Sequence, residues 1–119
     1  MISKDIRELS DLVGEEISAV CFVRDYVEVH FDGSILRSLS NPTVFVHGTQ
    51  HRFPEPGSRD ALCRVIGSTV RAMTVVEHQA LKLTTTDDCE ITVPLDAKNP
   101  RWPEAMHFVS HLNGPVQVW

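Results

Sequence analysis

The feature that most constrains this chain is an internal repeat. Leu12-Val13-Gly14 recurs as Val65-Ile66-Gly67, and with these in register Ile17 falls on Val70, Ala19 on Ala72, Val20 on Met73, Phe22 on Val75 and Val23 on Val76. After one inserted residue, Val27 and Val29 meet Leu81 and Leu83. Two copies are too few for a solenoid, so they read as halves of one pseudo-symmetric domain. The pseudo-repeats run over 3–46 and 58–95, followed by a tail over 102–119, and the 119 residues suit a single domain.

Each copy opens with a helix signal. Ser3 is placed to cap a helix with Ile6, Leu9, Leu12 and Val13 on one face, and Gly14 to end it. In the second copy Ser58 is the expected cap, Ala61, Leu62, Val65 and Ile66 the apolar face, and Gly67 the stop. Strands follow. Ile17 to Val23 is apolar on both faces, whereas Tyr26 to Phe31 alternates, with Val27, Val29 and Phe31 opposite Tyr26, Glu28 and His30. Asp32-Gly33 is a hairpin turn, and Ile35 to Leu39 returns. Thr69 to Val76, Ala80 to Thr86 and Cys89 to Leu95 repeat the scheme, turning at Asp87-Asp88. The expected class is α+β: antiparallel sheets built from two helix-plus-three-stranded-meander repeats. Between the copies, residues 47–57 read as the longest irregular loop.

The tail reads two ways. As a helix, Ala105, Met106, Phe108, Val109 and Leu112 share a face; as strands, Ala105 to His111 and Pro115 to Trp119 flank an Asn-Gly turn. Here a resemblance enters. Glu-Ala-Met-His-Phe-Val at 104–109 with Pro-Val-Gln-Val-Trp at 115–119 resembles the tail of small β-rich bacterial proteins. The Leu-Val-Gly…Val-x-Val-x-Phe-Asp-Gly pattern over 12–33 is similar to their first meander. Some small domains of this kind are immunity proteins that block bacterial toxins. The resemblance implies a compact β-rich fold and favours a C-terminal hairpin, with helix plus strand as the alternative; it carries no catalytic residue.

Composition narrows the function. A net charge of −5 with no basic stripe argues against nucleic acid and suits a basic protein partner. No apolar run reaches the ~18 residues of a membrane helix. Residues 1–12 lack the basic start and apolar stretch of a signal peptide. Cys21, Cys63 and Cys89 show no Cys-x-x-Cys spacing, and their apolar surroundings suit reduced thiols in a cytoplasmic protein. No phosphate loop, dinucleotide fingerprint, nucleophile elbow or zinc-type cysteine pair is present, and no cofactor is expected.

Three constellations remain. Glu28, His30 and Asp32 share a strand face, but same-face neighbours stand about 6.6 Å apart, so spanning all three with one ion is strained and a solvated face explains them. His107 and His111 would seat a metal on a helix but stand about 13 Å apart on a strand; His47 and His51 lie in the 47–57 loop. Arg52, Phe53, Trp102 and Trp119 are either binding anchors or caps on the open ends of a sheet.

The leading expectation is a protein-interaction module, most concretely an immunity protein occluding a basic toxin. Its contact residues would be Glu15, Glu16, Asp32, Asp87, Asp88 and Glu90, with Arg52, Phe53 and Trp102. Two alternatives stay open: a small-ligand binder or enzyme using the histidines of 47–57, and a domain that self-associates, as a homodimer, through an open strand edge.

Overall fold

The structure, a computed structural model, describes residues 9, 11–24, 26–96, 104–109 and 116–119. In chain order the elements are β1 (Ala19–Val23), β2 (Tyr26–His30), β3 (Ile35–Ser38), β4 (Thr43–Val46) and β5 (Thr49–Arg52). Then come α1 (Ser58–Cys63), β6 (Val70–Val76), β7 (Ala80–Thr85), β8 (Glu90–Pro94), β9 (Met106–Val109) and β10 (Gln117–Val118). All strand pairs are antiparallel.

This corrects the α+β expectation. Strands make up 50% of the described residues and helix 7%, so the protein is mostly β, with two sheets and one short helix. The physical reason is length: six residues of α1 are far below what sustains a helix without packing. Ser58 is not the cap of α1 either. Gly57 takes that position with φ 87°, and Ser58 begins the helix as a buried residue. Most of the first expected helix lies outside the described residues, with only Leu9 helical and 11–14 forming a turn.

The 47–57 stretch is also corrected. It opens with a tight hairpin between β4 and β5, turning on His47 (φ 52°) and Gly48 (φ 77°). Two successive positive φ values are what a two-residue turn with right-handed strand twist requires.

The sheets run β1-β2-β3-β9-β10 and β6-β7-β8-β4-β5. Each meander is therefore extended by the hairpin that follows the other meander. The β4–β5 hairpin leaves the first copy and joins β8; β9 and β10 leave the second and join β3. Exchanging the copies maps one sheet order onto the other.

The exchange is written in hydrogen bonds where the copies cross. Gly14 N donates to Val70 O and Gly67 N to Ile17 O, both at 2.8 Å. Val70 N donates to Glu15 O at 2.9 Å and Ile17 N to Ser68 O at 2.8 Å. Each bond becomes its partner when aligned positions are swapped, and the Glu16–Thr69 bridge lies at the centre. The preceding turns match as well: Glu15 N donates to Leu12 O at 2.9 Å, and Ser68 N to Val65 O at 3.0 Å.

Period-2 alternation turns one face of each sheet inward. Val27, Val29, Leu36, Met106 and Phe108 from one sheet join Val44, Leu81, Leu83, Ile91 and Val93 from the other in one buried cluster. Leu62 of α1 closes it beside Phe53, whose ring stacks on Phe22 at 6.0 Å under the Arg59 guanidinium. No described helix is long and apolar enough to cross a membrane.

Two stability predictions follow from packing and backbone geometry. Leu83→Ala removes a fully buried side chain and is expected to cost about 2–5 kcal/mol in denaturant unfolding. At Gly14 and Gly67 an added Cβ meets no atom within 4 Å, but φ is +94° and +90°. Each Gly→Ala change should therefore cost about 1–2 kcal/mol through the backbone alone, with thermal unfolding as the measurement.

Candidate functional site

The chemically richest surface is the outer face of the first sheet. Because β2 buries Val27 and Val29, it turns Tyr26, Glu28 and His30 outward. Register then sets a row across four strands: Cys21 opposite Glu28, Glu28 opposite Arg37, Arg37 opposite His107. Such cross-strand neighbours have Cβ atoms about 4.5–5.5 Å apart, close enough for side chains to bond.

They do bond. Arg37 Nε donates to Glu28 Oε2 at 2.8 Å, and His30 Nε2 lies 3.0 Å from Glu28 Oε1. Arg37 Nη1 lies 3.2 Å from His107 Nδ1. A guanidinium can only donate, so Nδ1 accepts and the neutral ring carries its proton on Nε2. That Nε2 is buried without a hydrogen-bond partner among the described residues and lies 3.8 Å from Glu104 Oε1. The Arg37 guanidinium also lies 5.8 Å from the centre of the Tyr26 ring.

Glu28 is the hub, with its side chain only 13% exposed. Burial pushes its carboxyl pKa up, but the hydrogen bonds and positive charge of Arg37 and His30 outweigh that and leave it lowered from 4.5. Cys21 Sγ completes a trio in which its sulfur, a Glu28 oxygen and a His30 nitrogen all lie within 4.8 Å of one another.

The second sheet shows what the fold itself demands of this face. Its equivalent row is Thr74 opposite Lys82, Lys82 opposite Thr92, and Thr92 opposite Thr43. Threonine and lysine satisfy the strands there. The Cys-Glu-Arg-His row is thus additional to what the sheet needs.

The structure gathers most of the expected acidic residues elsewhere. Glu15 and Glu16 lie on the central crossing, which bonds on one side to 67–70 and on the other to His30 through Ser18 N at 2.8 Å. Asp32 follows two residues beyond His30. Asp87 accepts from Ser68 Oγ at 2.7 Å, and Asp88 pairs with Arg71 at 2.9 Å. These five carboxylates therefore share one end of the molecule. Glu90 is apart from them, on the outer face of the second sheet, 3.8 Å from Lys82. It borders a shallow depression of about 170 Å³ lined by Thr43, Phe45, Gln50, Glu90 and Thr92.

The larger anchors fare differently. Arg52 is exposed on β5, but Phe53 is 2% exposed and belongs to the core, so it offers no contact surface. Trp102 lies outside the described residues, as does His111. His47 and His51 ride on the β4–β5 hairpin of one sheet while His107 faces outward from the other. Among the described residues, the structure does not bring these histidines into one group.

Sequence reasoning found Glu28 and His30 but paired them with Asp32. Asp32 leaves the strand at the turn, and Cys21 takes the third place from the neighbouring strand. Threading β1 against β2 would have exposed that contact. No local signal pointed to Arg37 meeting His107, because β9 arrives from the other copy.

No family model, curated protein or solved structure matches the chain.

The lowered pKa of Glu28 sets a pH dependence. Its ionised form contributes stability above the unfolded value near 4.5, and that contribution is lost as pH falls through the lower folded value. Glu28→Gln is expected to cost about 1–3 kcal/mol at neutral pH. Urea melts from pH 7 to 3 should show the wild type losing more stability than the variant; parallel curves would contradict this.

Proposed function

We propose that this protein is an interaction module that docks a basic protein partner on its acidic end. The observation that supports this reading is the convergence of Glu15, Glu16, Asp32, Asp87 and Asp88 from three segments onto one end of the fold. Among the described residues, the ion pair seen on these carboxylates is Arg71 with Asp88, so five acidic groups face one paired cation. Such a surface steers a cationic partner by long-range attraction and orients it before contact. The concrete form proposed is a cytoplasmic immunity protein that covers a basic toxin and acts by occlusion rather than chemistry.

The test is direct. A partner co-purified from the native source should associate more slowly as salt rises. Reversing two exposed charges that make no side-chain bond among the described residues, Glu16→Lys with Asp32→Lys, should slow association by about tenfold while leaving the melting temperature nearly unchanged. An association rate indifferent to both salt and charge reversal would end this reading.

A second reading, self-association, is favoured by β6. This seven-residue strand forms a sheet edge, exposes Ala72, Thr74 and Val76, and is covered by the crossing segment at Val70. Light scattering on the eluting protein would reveal a dimer, and an added charge at Val76 would dissociate it.

A further inference from the structure

We infer that Cys21, Glu28 and His30 form a binding site for a zinc-class divalent cation, with the fourth coordination position open to water or a ligand. The inference is independent of the acidic end.

Geometry carries it. Cys21 and Glu28 are direct partners across β1 and β2, and His30 is the next residue on the same face. The three donor atoms already lie within 4.8 Å of one another. His30 Nε2 and Glu28 Oε1 are 3.0 Å apart, close to the roughly 3.3 Å that separates two tetrahedral ligands each about 2.0 Å from zinc. The proton now shared by that pair would give way to the ion. On binding, the Cys21 thiol proton passes to solvent and the His30 proton moves through solvent from Nε2 to Nδ1, leaving thiolate, neutral imidazole and carboxylate as ligands.

The donor set selects the metal. Sulfur with nitrogen suits zinc and its borderline-soft neighbours, whereas calcium and magnesium take oxygen ligands. Arg37 holds the other oxygen of Glu28 at 2.8 Å and is itself tied to His107. That is the orienting contact that fixes a ligating carboxylate. All three ligands are part-buried rather than sealed, so an ion can reach them. Their equivalents in the second sheet are Thr74, Lys82 and Thr84, which cannot form such a site. The trio is therefore a property of one copy and not a requirement of the fold.

The experiment is a titration of the full chain with Co²⁺, a spectroscopic stand-in for zinc, in a non-chelating reductant. A thiolate-to-cobalt charge-transfer band that saturates at one equivalent and is displaced by Zn²⁺ is expected. Cys63 is exposed on α1 and is not among the clustered donors, so Cys63→Ser should keep the band. Cys21→Ser should abolish it, and His30→Gln should weaken binding at least about tenfold. If Cys21→Ser fails to fold, alkylation of the wild type substitutes for it: Zn²⁺ should protect Cys21 while Cys63 still reacts. Absence of the band, its loss with Cys63→Ser, or equal alkylation of Cys21 with and without zinc would overturn the site.

Discussion

The fold depends on the crossing of two short segments, 14–17 and 67–70, which hydrogen-bond to each other reciprocally. Each segment ends a turn at a glycine of positive φ and then enters the first strand of a meander. Because the bonds are exchanged symmetrically, the two meanders leave the crossing toward opposite sheets with their apolar faces toward one another. The burial of Ile17 and Val70 on either side of its centre, at 0% and 1% exposure, keeps water from competing for those bonds.

From that constraint the division of the surface follows. Inner faces of both sheets must supply apolar side chains to one shared core, so aligned positions there stay similar: Val27 with Leu81, Val29 with Leu83, Leu36 with Ile91. Outer faces carry no such demand, and the two copies differ in what they place on them. One displays threonine and lysine, beside a shallow depression lined by Thr43, Phe45, Gln50, Glu90 and Thr92. The other displays a bonded row of cysteine, glutamate, arginine and histidine. The turns are a third case: Asp32-Gly33 and Asp87-Asp88 both bring carboxylates beside the crossing, with Gly33 at φ 92° and Asp88 at φ 62° filling the equivalent left-handed position.

Much of this was legible locally. Alternation over 26–31 placed Glu28 and His30 on the outer face, and Asp-Gly marked a turn. The α+β class failed because the helix of the second copy lasts only from Ser58 to Cys63, and a helical apolar period over so short a span does not fix how far a helix extends. The 47–57 stretch departs from a loop because His47-Gly48 forms a two-residue turn between Val-Phe-Val and Thr-Gln-His, and the exposed, polar β5 carries no apolar alternation to mark it. The β4–β5 pair after the first meander and the β9–β10 pair after the second are equivalent elements.

Local pattern therefore suffices for β1 to β3 and β6 to β8, their buried faces and the turns within each meander, since these rest on two-residue periodicity and on local φ preferences; it does not reveal β4 and β5. Tertiary structure alone decided which sheet each hairpin joins. An antiparallel ladder is made of backbone groups that are nearly identical at every residue, so nothing local in β4 or β9 names its partner. The shared core and the crossing make that choice. With it comes the Arg37–His107 contact, which anchors the guanidinium that in turn holds Glu28.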